Sequence, residues 1–189
     1  MNSLLSVNTL IAGYTRPITP ALSFEIQPGE VVGLLGTNGC GKSTVLRAIM
    51  GTARIFSGTL YKRPRLRLTH QRQSPVRLKQ MPIRGWELLR VCDRNQKPLP
   101  AKLQAVMNQR LDQLSGGQLQ LLQTWACFGD EVDLILLDEP TNNLDPEGIK
   151  ALTAAFNHLN AHQAVLMVSH EPEFTAQVCT QIVAMNHAG

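Results

Sequence analysis

The chain has 189 residues, of which 43% are hydrophobic, and a formal net charge of +4. This length suits one domain, because domains usually have about 100–200 residues. The apolar content excludes a disordered chain. No apolar run approaches the roughly 20 residues that a membrane-spanning helix requires, and no charged flank precedes an apolar run as in a secretory signal. If the protein works at a membrane, we expect another chain to span it.

Cysteines and charge narrow the class further. The four cysteines form no CxxC pair, which favours a reduced cytosolic protein without disulfides or a zinc ribbon. Residues 62–110 hold thirteen Lys/Arg and two acids, whereas residues 130–173 hold nine acids and one base. The basic stretch suits nucleic acid, anionic lipid or an acidic protein, or is only a solvated face. Trp86 is its single aromatic residue, which argues against a base-stacking platform.

The N-terminal part predicts strands and then a strand–loop–helix unit. The first thirty residues read as short, antiparallel strands, with turn-forming residues at Gly13, Pro17, Pro20 and Pro28-Gly29. Residues 31–35 are continuously apolar, as in a strand buried on both faces. A glycine-rich loop follows, and residues 43–50 predict a helix that stops at Gly51.

The rest of the chain predicts alternating strands and helices. Residues 74–112, rich in Arg, Gln and Leu and interrupted by prolines, indicate a small helical insertion. Further helices are expected after Gly117 to residue 126, from Asp145 to about Asn160, and over 171–178. Buried strands are expected at 134–137 and 164–168, and a last strand at 181–185. This alternation predicts a parallel α/β sheet.

The glycine-rich loop carries the clearest chemistry. It fits the pattern Gly-x4-Gly-Lys-Ser, with Thr44 next, and its residues are Gly36, Thr37, Asn38, Gly39, Cys40, Gly41, Lys42 and Ser43. Glycines let the backbone N–H groups turn towards phosphate oxygens, and the following helix N-terminus adds positive charge. Lys42 would reach the β- and γ-phosphates of ATP, and Ser43 would ligate Mg²⁺. A chance glycine-rich turn is the alternative, which the flanking strand and helix argue against.

Polar residues follow the two later buried strands. Asp138 and Glu139 end one strand, and His170 follows the next. Because ligands bind at the carboxyl edge of open α/β sheets, Asp138 is expected to hold Mg²⁺ and Glu139 to polarise the attacking water. His170 would bond the γ-phosphate or the Glu139–water pair. A structural role is the alternative for His170.

Three histidine and cysteine positions have weaker interpretations. Cys40, inside the loop, is either a redox-sensitive thiol or a small residue tolerated beside glycine. His158 and His162, four residues apart on a predicted helix, either hold a regulatory metal ion or are ordinary surface histidines.

Further motifs resemble those of ABC-type ATPases, in family order and over essentially the whole chain. Residues 114–118 (Leu-Ser-Gly-Gly-Gln) resemble the signature motif, Gln71 the glutamine loop, residues 143–145 with Asp145 the D-loop, and His170 the switch histidine. Tyr14 resembles the aromatic residue that stacks on adenine. The resemblance implies one domain, 1–189, with an α/β P-loop NTPase fold. It has a mostly parallel core sheet, an N-terminal antiparallel β-subdomain and a helical subdomain inserted at approximately 74–125.

The resemblance also implies a mechanism. Two copies would pair head to tail, each ATP lying between one phosphate loop and the other copy's Ser115, Gly116, Gly117 and Gln118. Gln71 would contact Mg²⁺ beside Ser43 and Asp138, and would be catalytic with Glu139 and His170. The partners implied are integral membrane permease subunits and a substrate-binding protein, with no nucleic acid. The implied location is cytoplasmic, on the inner face of the cell membrane.

A narrower resemblance is to the ATPase subunits of zinc-type metal importers. It rests on residues 65–71, on 86–90 (Trp-Glu-Leu-Leu-Arg) and on 165–170 with 185–187. Import of a metal ion such as zinc is therefore the leading function. An ABC ATPase that regulates a cell-envelope assembly without transport is the second, and a nucleic-acid-linked ATPase is the third. One departure stands out: after Gln118, where most relatives have an arginine, this chain has no base up to Cys127.

Overall fold

Two sheets and six α-helices make up the described part of the chain. The computed structural model describes residues 3–73, 82–92 and 99–185. The strands are β1 (Leu5–Gly13), β2 (Leu22–Ile26), β3 (Val31–Gly36), β4 (Arg54–Lys62), β5 (Leu68–Gln71), β6 (Leu134–Asp138), β7 (Ala164–Val168) and β8 (Gln181–Met185). The helices are α1 (Lys42–Ile49), α2 (Gly85–Val91), α3 (Ala101–Gln104), α4 (Gly116–Ala126), α5 (Pro146–Phe156) and α6 (Pro172–Val178), with a 3₁₀ turn at Leu111–Gln113.

The larger sheet has the order β5-β6-β7-β3-β8, and all of its pairings are parallel. Every residue of β6 and β7 is buried. Side chains alternate between two cores: Ile135 and Leu137 pack with α4 and α5, whereas Leu134 and Leu136 pack with α1 and the N-terminal strands. Because both faces are covered, these strands read as continuous apolar runs. The predicted parallel sheet is confirmed.

The smaller sheet is antiparallel, with the order β2-β1-β4. Its first two strands were expected, but β4 was not. Most residues of β4 are exposed, and it mixes basic and apolar side chains, so it shows no clear apolar pattern. The chain between β1 and β2 folds back: the amides of Ile18 and Thr19 both donate to the Ala12 carbonyl. This connection lies against the glycine-rich loop.

The helices fall close to their predicted positions. The N-cap of α5 is Asp145, whose Oδ1 accepts from the Gly148 amide at 2.7 Å, with Pro146 at the first position. This helix ends at Phe156, earlier than the expected Asn160. The difference has a clear cause: Gln163 accepts from the Asn160 amide and donates to the carbonyls of Gly129 and Val132. These bonds turn the chain into β7.

Helices α2 and α3, the 3₁₀ turn and all but the last residue of α4 fall within the predicted bounds of the helical insertion, 74–125. Parts of it, residues 74–81 and 93–98, lie outside the described residues, and its predicted bounds of 74–125 stay a prediction.

Among the helices that the structure describes, none combines the length and the apolar content needed to cross a bilayer. The four cysteines are free thiols.

Asp133 anchors the edge strand β5 to β6. Its carboxylate, 5% exposed, accepts from the Arg67 amide at 2.8 Å and pairs with the Arg63 guanidinium at 2.8 Å. Burial alone would raise the pKa of Asp133, but these bonds outweigh it and hold the pKa below its usual value. The ionised carboxylate therefore stabilises the fold above its usual pKa of about 3.9, and that contribution disappears as pH falls through the lower folded value.

We expect Asp133→Asn to lower the free energy of unfolding at pH 7 by about 1.5–3 kcal/mol, the range for hydrogen bonds to charged groups. Urea unfolding measures this, and the difference from the parent should shrink below about pH 4. Asp112→Asn is the control, since it breaks only a surface pair with Arg110 and should change little. An equal loss at pH 7 and in acid would contradict the charge-based explanation.

Candidate active site

Three adjacent strands bring the predicted motifs to one edge of the sheet. The glycine-rich loop follows β3. Asp138 is the last residue of β6 and Glu139 is the next residue, and Ser169-His170 follows β7. Strand β7 lies between the other two. Because all three run parallel, their carboxyl ends meet, which is where such sheets bind ligands.

The loop closes on itself around the Lys42 ammonium. Lys42 Nζ donates to the carbonyl oxygens of Gly36 at 2.7 Å and Thr37 at 3.0 Å, and the residue is only 7% exposed. Gly41 has a φ of 95°, and a Cβ there would lie 2.9 Å from the Thr19 methyl carbon. Glycine is therefore needed at this position both for conformation and for space.

A cavity of about 300 Å³ opens beside the loop. Of the predicted loop residues, its lining contains Asn38, Gly39, Gly41, Lys42, Ser43 and Thr44, and Glu139 joins them. Cys40 is fully buried and does not line it, so the structure gives a packing reason for a small residue there. Three lining residues were not predicted: Ile18, Gln73 and Val168.

Ser43 and Asp138 form a polar pair in this region. Ser43 Oγ donates to Asp138 Oδ1 at 2.9 Å across 95 positions of sequence. Asp138 is 5% exposed, and burial raises its pKa, opposed by the Ser43 bond and by nearby positive charge including Lys42. A hydroxyl and a carboxylate are the oxygen donors that Mg²⁺ prefers. This donor set fits that cation.

Glu139 and His170 form a second pair. His170 Nδ1 lies 2.6 Å from Glu139 Oε2, so an N–H on that ring nitrogen donates to the carboxylate. Glu139 is 6% exposed and has a φ of 53°, in the left-handed region that non-glycine residues rarely adopt. Its amide donates to the Val168 carbonyl at 2.9 Å. Such strain persists only where the surroundings hold it, often at functional sites.

Gln71 lies at the end of β5 but does not line the phosphate-loop cavity. Its side chain is 3% exposed and donates to the Arg72 carbonyl. Gln71 lines a second cavity of about 410 Å³, mostly apolar, together with Thr69, His70, Arg72, Leu88, Cys92, Gln123, Ala126 and Cys127. Gln73, two residues later, reaches the first cavity. The predicted contact of Gln71 with Mg²⁺ therefore stays a prediction, and Gln73 is an added candidate.

Tyr14 lies beside the phosphate loop's helix. Its hydroxyl accepts from the Arg47 guanidinium, whose carbon lies 6.0 Å from the ring centroid, and the residue is 41% exposed. Tyr14 is not in the lining of the 300 Å³ cavity, whereas Ile18 from the same connection is.

The signature residues lie apart from the phosphate loop. Ser115 caps α4: its Oγ accepts from the Gln118 amide, and its own amide donates to Gln118 Oε1. A Cβ on Gly117 would lie 2.5 Å from the Asn143 carbonyl oxygen, so glycine lets α4 approach the segment before α5. A third cavity, of about 420 Å³, has the lining Lys102, Ser115, Gly117, Gln118, Leu121, Asn143, Leu144, Asp145 and Gly148.

His158 and His162, whose spacing suggested a possible metal site, do not belong to a metal-binding cluster in the described ranges. Within residues 3–73, 82–92 and 99–185, no group of three or more His, Cys, Asp or Glu side chains is placed to hold a metal ion. His162 Nε2 instead lies 3.2 Å from the Asp130 carbonyl oxygen.

Comparisons with known proteins agree with this geometry. Residues 20–142 match the family model described as ABC transporter. The zinc import ATP-binding protein ZnuC of Paracoccus denitrificans (strain Pd 1222) is 35% identical over 183 residues, covering 92% of this chain and 72% of that protein. The solved ATP-binding subunit of an ABC transporter is 24% identical, with a TM-score of 0.74 over 96% of this chain and 85% of that one. A chain assigned as an ABC transporter ATP-binding protein of Pyrococcus furiosus is 19% identical, with a TM-score of 0.79 over 96% of both.

Proposed function

The chain belongs to the ABC transporter family as an ATP-binding subunit with ATPase activity, and we propose that it energises the import of a metal ion such as zinc. The main support for ATP hydrolysis at this site is that the phosphate loop, the Ser43–Asp138 pair and the Glu139–His170 pair meet at one edge of the sheet. The proposal that the transported ion is a metal such as zinc is supported by the 35% identity to a zinc import subunit.

The phosphate loop would hold the triphosphate through its amides and the N-terminus of α1. Lys42 now satisfies two loop carbonyls, those of Gly36 and Thr37. On ATP binding its ammonium would turn to the β- and γ-phosphates, which offer stronger, charge-assisted bonds. Ile18 and Tyr14 extend from the β1–β2 connection, and Tyr14 would stack on adenine.

Ser43 and Asp138 would hold Mg²⁺, with Gln71 or Gln73 as a further oxygen donor. The cation would neutralise charge on the β- and γ-phosphates. Glu139 would orient the attacking water, because the residue lines the cavity and its backbone is fixed by the amide bond to the Val168 carbonyl. His170 would hold that carboxylate in place and bond the γ-phosphate.

Two copies would complete each site. Within one chain the signature residues line a different cavity from the phosphate loop. A head-to-tail dimer would bring Ser115 and the α4 N-terminus of one copy to the γ-phosphate held by the other. Asp145, on the D-loop, would lie at the same contact.

Membrane permease subunits would dock at the 410 Å³ apolar cavity between β5, α2 and α4. Helix α2, which contributes Leu88 to the lining, also has two exposed apolar side chains, Val91 at 84% and Trp86 at 41%. Exposed apolar groups beside an apolar groove favour a protein partner. This docking would place the chain on the cytoplasmic face of the membrane, with a substrate-binding protein delivering the metal. Regulation of an envelope assembly without transport is the alternative, and it would use the same surface.

We expect Glu139→Gln to lower the rate of ATP hydrolysis by about 10²–10⁴-fold, because the amide cannot act as a base for the attacking water. ATP binding should persist, since the phosphate loop is intact. Lys42→Ala should lose ATP binding, and Lys150→Ala, at an exposed lysine of α5, is the control. Phosphate release and nucleotide binding are the two measurements. Unchanged turnover in Glu139→Gln would refute the role given to Glu139.

We expect cells that carry Glu139→Gln in place of the parent to show a selective fall in zinc when metals are limiting. A stalled ATPase cannot drive uptake, while other metals enter by other routes. Elemental analysis of washed cells measures this. If zinc and all other metals have the same cellular content in the variant as in the parent, metal import is rejected and the envelope-regulation alternative is favoured.

We expect Val91→Lys to cause the same fall in cell zinc, because a charge on the exposed end of α2 would oppose docking to an apolar partner. Ile182→Lys is the matched control: Ile182 is also β-branched and 51% exposed, but lies on β8, away from the cavity. Urea unfolding should show both variants folded. Equal zinc in the two variants would reject this docking surface.

A further inference from the structure

Helix α4 brings no charged side chain to the third cavity. Its eleven residues, Gly-Gly-Gln-Leu-Gln-Leu-Leu-Gln-Thr-Trp-Ala, are all neutral. In the proposed dimer this helix faces the γ-phosphate of ATP bound by the other copy. Its N-terminal dipole supplies only partial positive charge, equivalent to about half an elementary charge. Any full positive charge at this half of the site would therefore have to come from another element.

Lys102, on α3, is the single cation among the described residues that line this cavity. Its Nζ contacts both carboxylate oxygens of Asp145 and lies 3.9 Å from Glu147 Oε2. The pairing lowers the pKa of Asp145 below its usual value, with the Lys102 bond as the first cause and the Gly148 amide next. Asp145 is therefore ionised at neutral pH, and Lys102 offsets its charge.

We propose that Lys102 is a positioning residue for the composite ATP site: its single positive charge offsets the carboxylate of Asp145 and so reduces the repulsion that Asp145 and Glu147 together would exert on the incoming γ-phosphate. This inference rests on the head-to-tail dimer proposed above. The contact joins α3 to the start of α5 across 43 positions of sequence. The insertion thereby sets the electrostatic potential at the cavity that a second copy must approach.

Removing the cation leaves two carboxylates facing a polyphosphate. Because the side chains of Asp145 and Glu147 are largely open to water, the effective dielectric constant is high, and one uncompensated unit charge a few ångströms away weakens binding by roughly tenfold. Salt should reduce the effect, because the side chains of Asp145 and Glu147 are largely exposed. The monomer's own phosphate loop should be unaffected, since Lys102 does not line its cavity.

The test uses Glu139→Gln as background, so that ATP is not consumed, and measures dimer formation by light scattering against MgATP concentration. Adding Lys102→Met should raise the ATP concentration for half-maximal dimer by roughly tenfold. Lys102→Arg should restore the parent value. Lys150→Met, another lysine-to-methionine change but outside the cavity lining, should leave it unchanged.

The decisive variant is Lys102→Met combined with Asp145→Asn. Asparagine still caps α5 but carries no charge, so the double variant has the same net charge here as the parent. Its half-maximal ATP concentration should therefore return most of the way to the parent value. The loss should also shrink in about 0.5 M salt. A Lys102→Met curve that matches Lys150→Met, or no recovery with Asp145→Asn, would overturn the role of Lys102. Absence of ATP-driven dimers in every variant, with ATP still bound, would instead overturn the head-to-tail dimer, and the role of Lys102 with it.

Discussion

The burial of β6 on both faces is the constraint on which the site depends. Its residues Leu134 to Leu137 alternate between two hydrophobic cores, so a polar side chain cannot lie along the strand without losing its solvent or hydrogen-bond partners. Carboxylates are tolerated only at the ends of the strand: Asp133 precedes it with its arginine partners, and at the carboxyl end Asp138 meets Ser43 and Glu139 meets His170. The apolar residues Leu134 to Leu137 thus stabilise the sheet and also place two adjacent acids, Asp138 and Glu139, beside the phosphate loop.

Hydrogen bonds, one of them to strand β7 of the same sheet, hold the strained backbone of Glu139 in place. A left-handed backbone on a non-glycine residue costs about 1–3 kcal/mol. The Glu139 amide bonds the Val168 carbonyl, its carbonyl accepts from the Asn142 amide, and its carboxylate meets His170. These contacts fix the carboxylate at the cavity wall before any nucleotide arrives. Preorganised groups of this kind contribute to catalysis because they need not be reordered during the reaction.

The sequence predicted those parts of the fold whose residues have one dominant physical role. Strands β3, β6 and β7 are continuous apolar runs, and the loop between β3 and α1 has a spacing tied to phosphate geometry. Strand β4 was missed because it is an exposed edge with no clear apolar pattern, and β5 because its four residues are mostly polar. The position of Gln73 and the pairing of Lys102 with Asp145 were also missed. Each depends on how distant segments pack, which local patterns do not encode.

The separation of the two polar cavities determines what can hold the dimer together. The linings of the phosphate-loop and signature cavities each combine two glycines and two oppositely charged side chains with only two large apolar side chains, Ile18 and Val168 in one and Leu121 and Leu144 in the other. Surfaces of this composition bury little hydrophobic area on association, so they offer little affinity of their own. In the proposed dimer, ATP would provide most of the attraction, since its phosphates bond both copies at once. Hydrolysis would remove the γ-phosphate from that shared contact and so weaken the interface, which is how a chemical step could become a movement that a membrane partner can use.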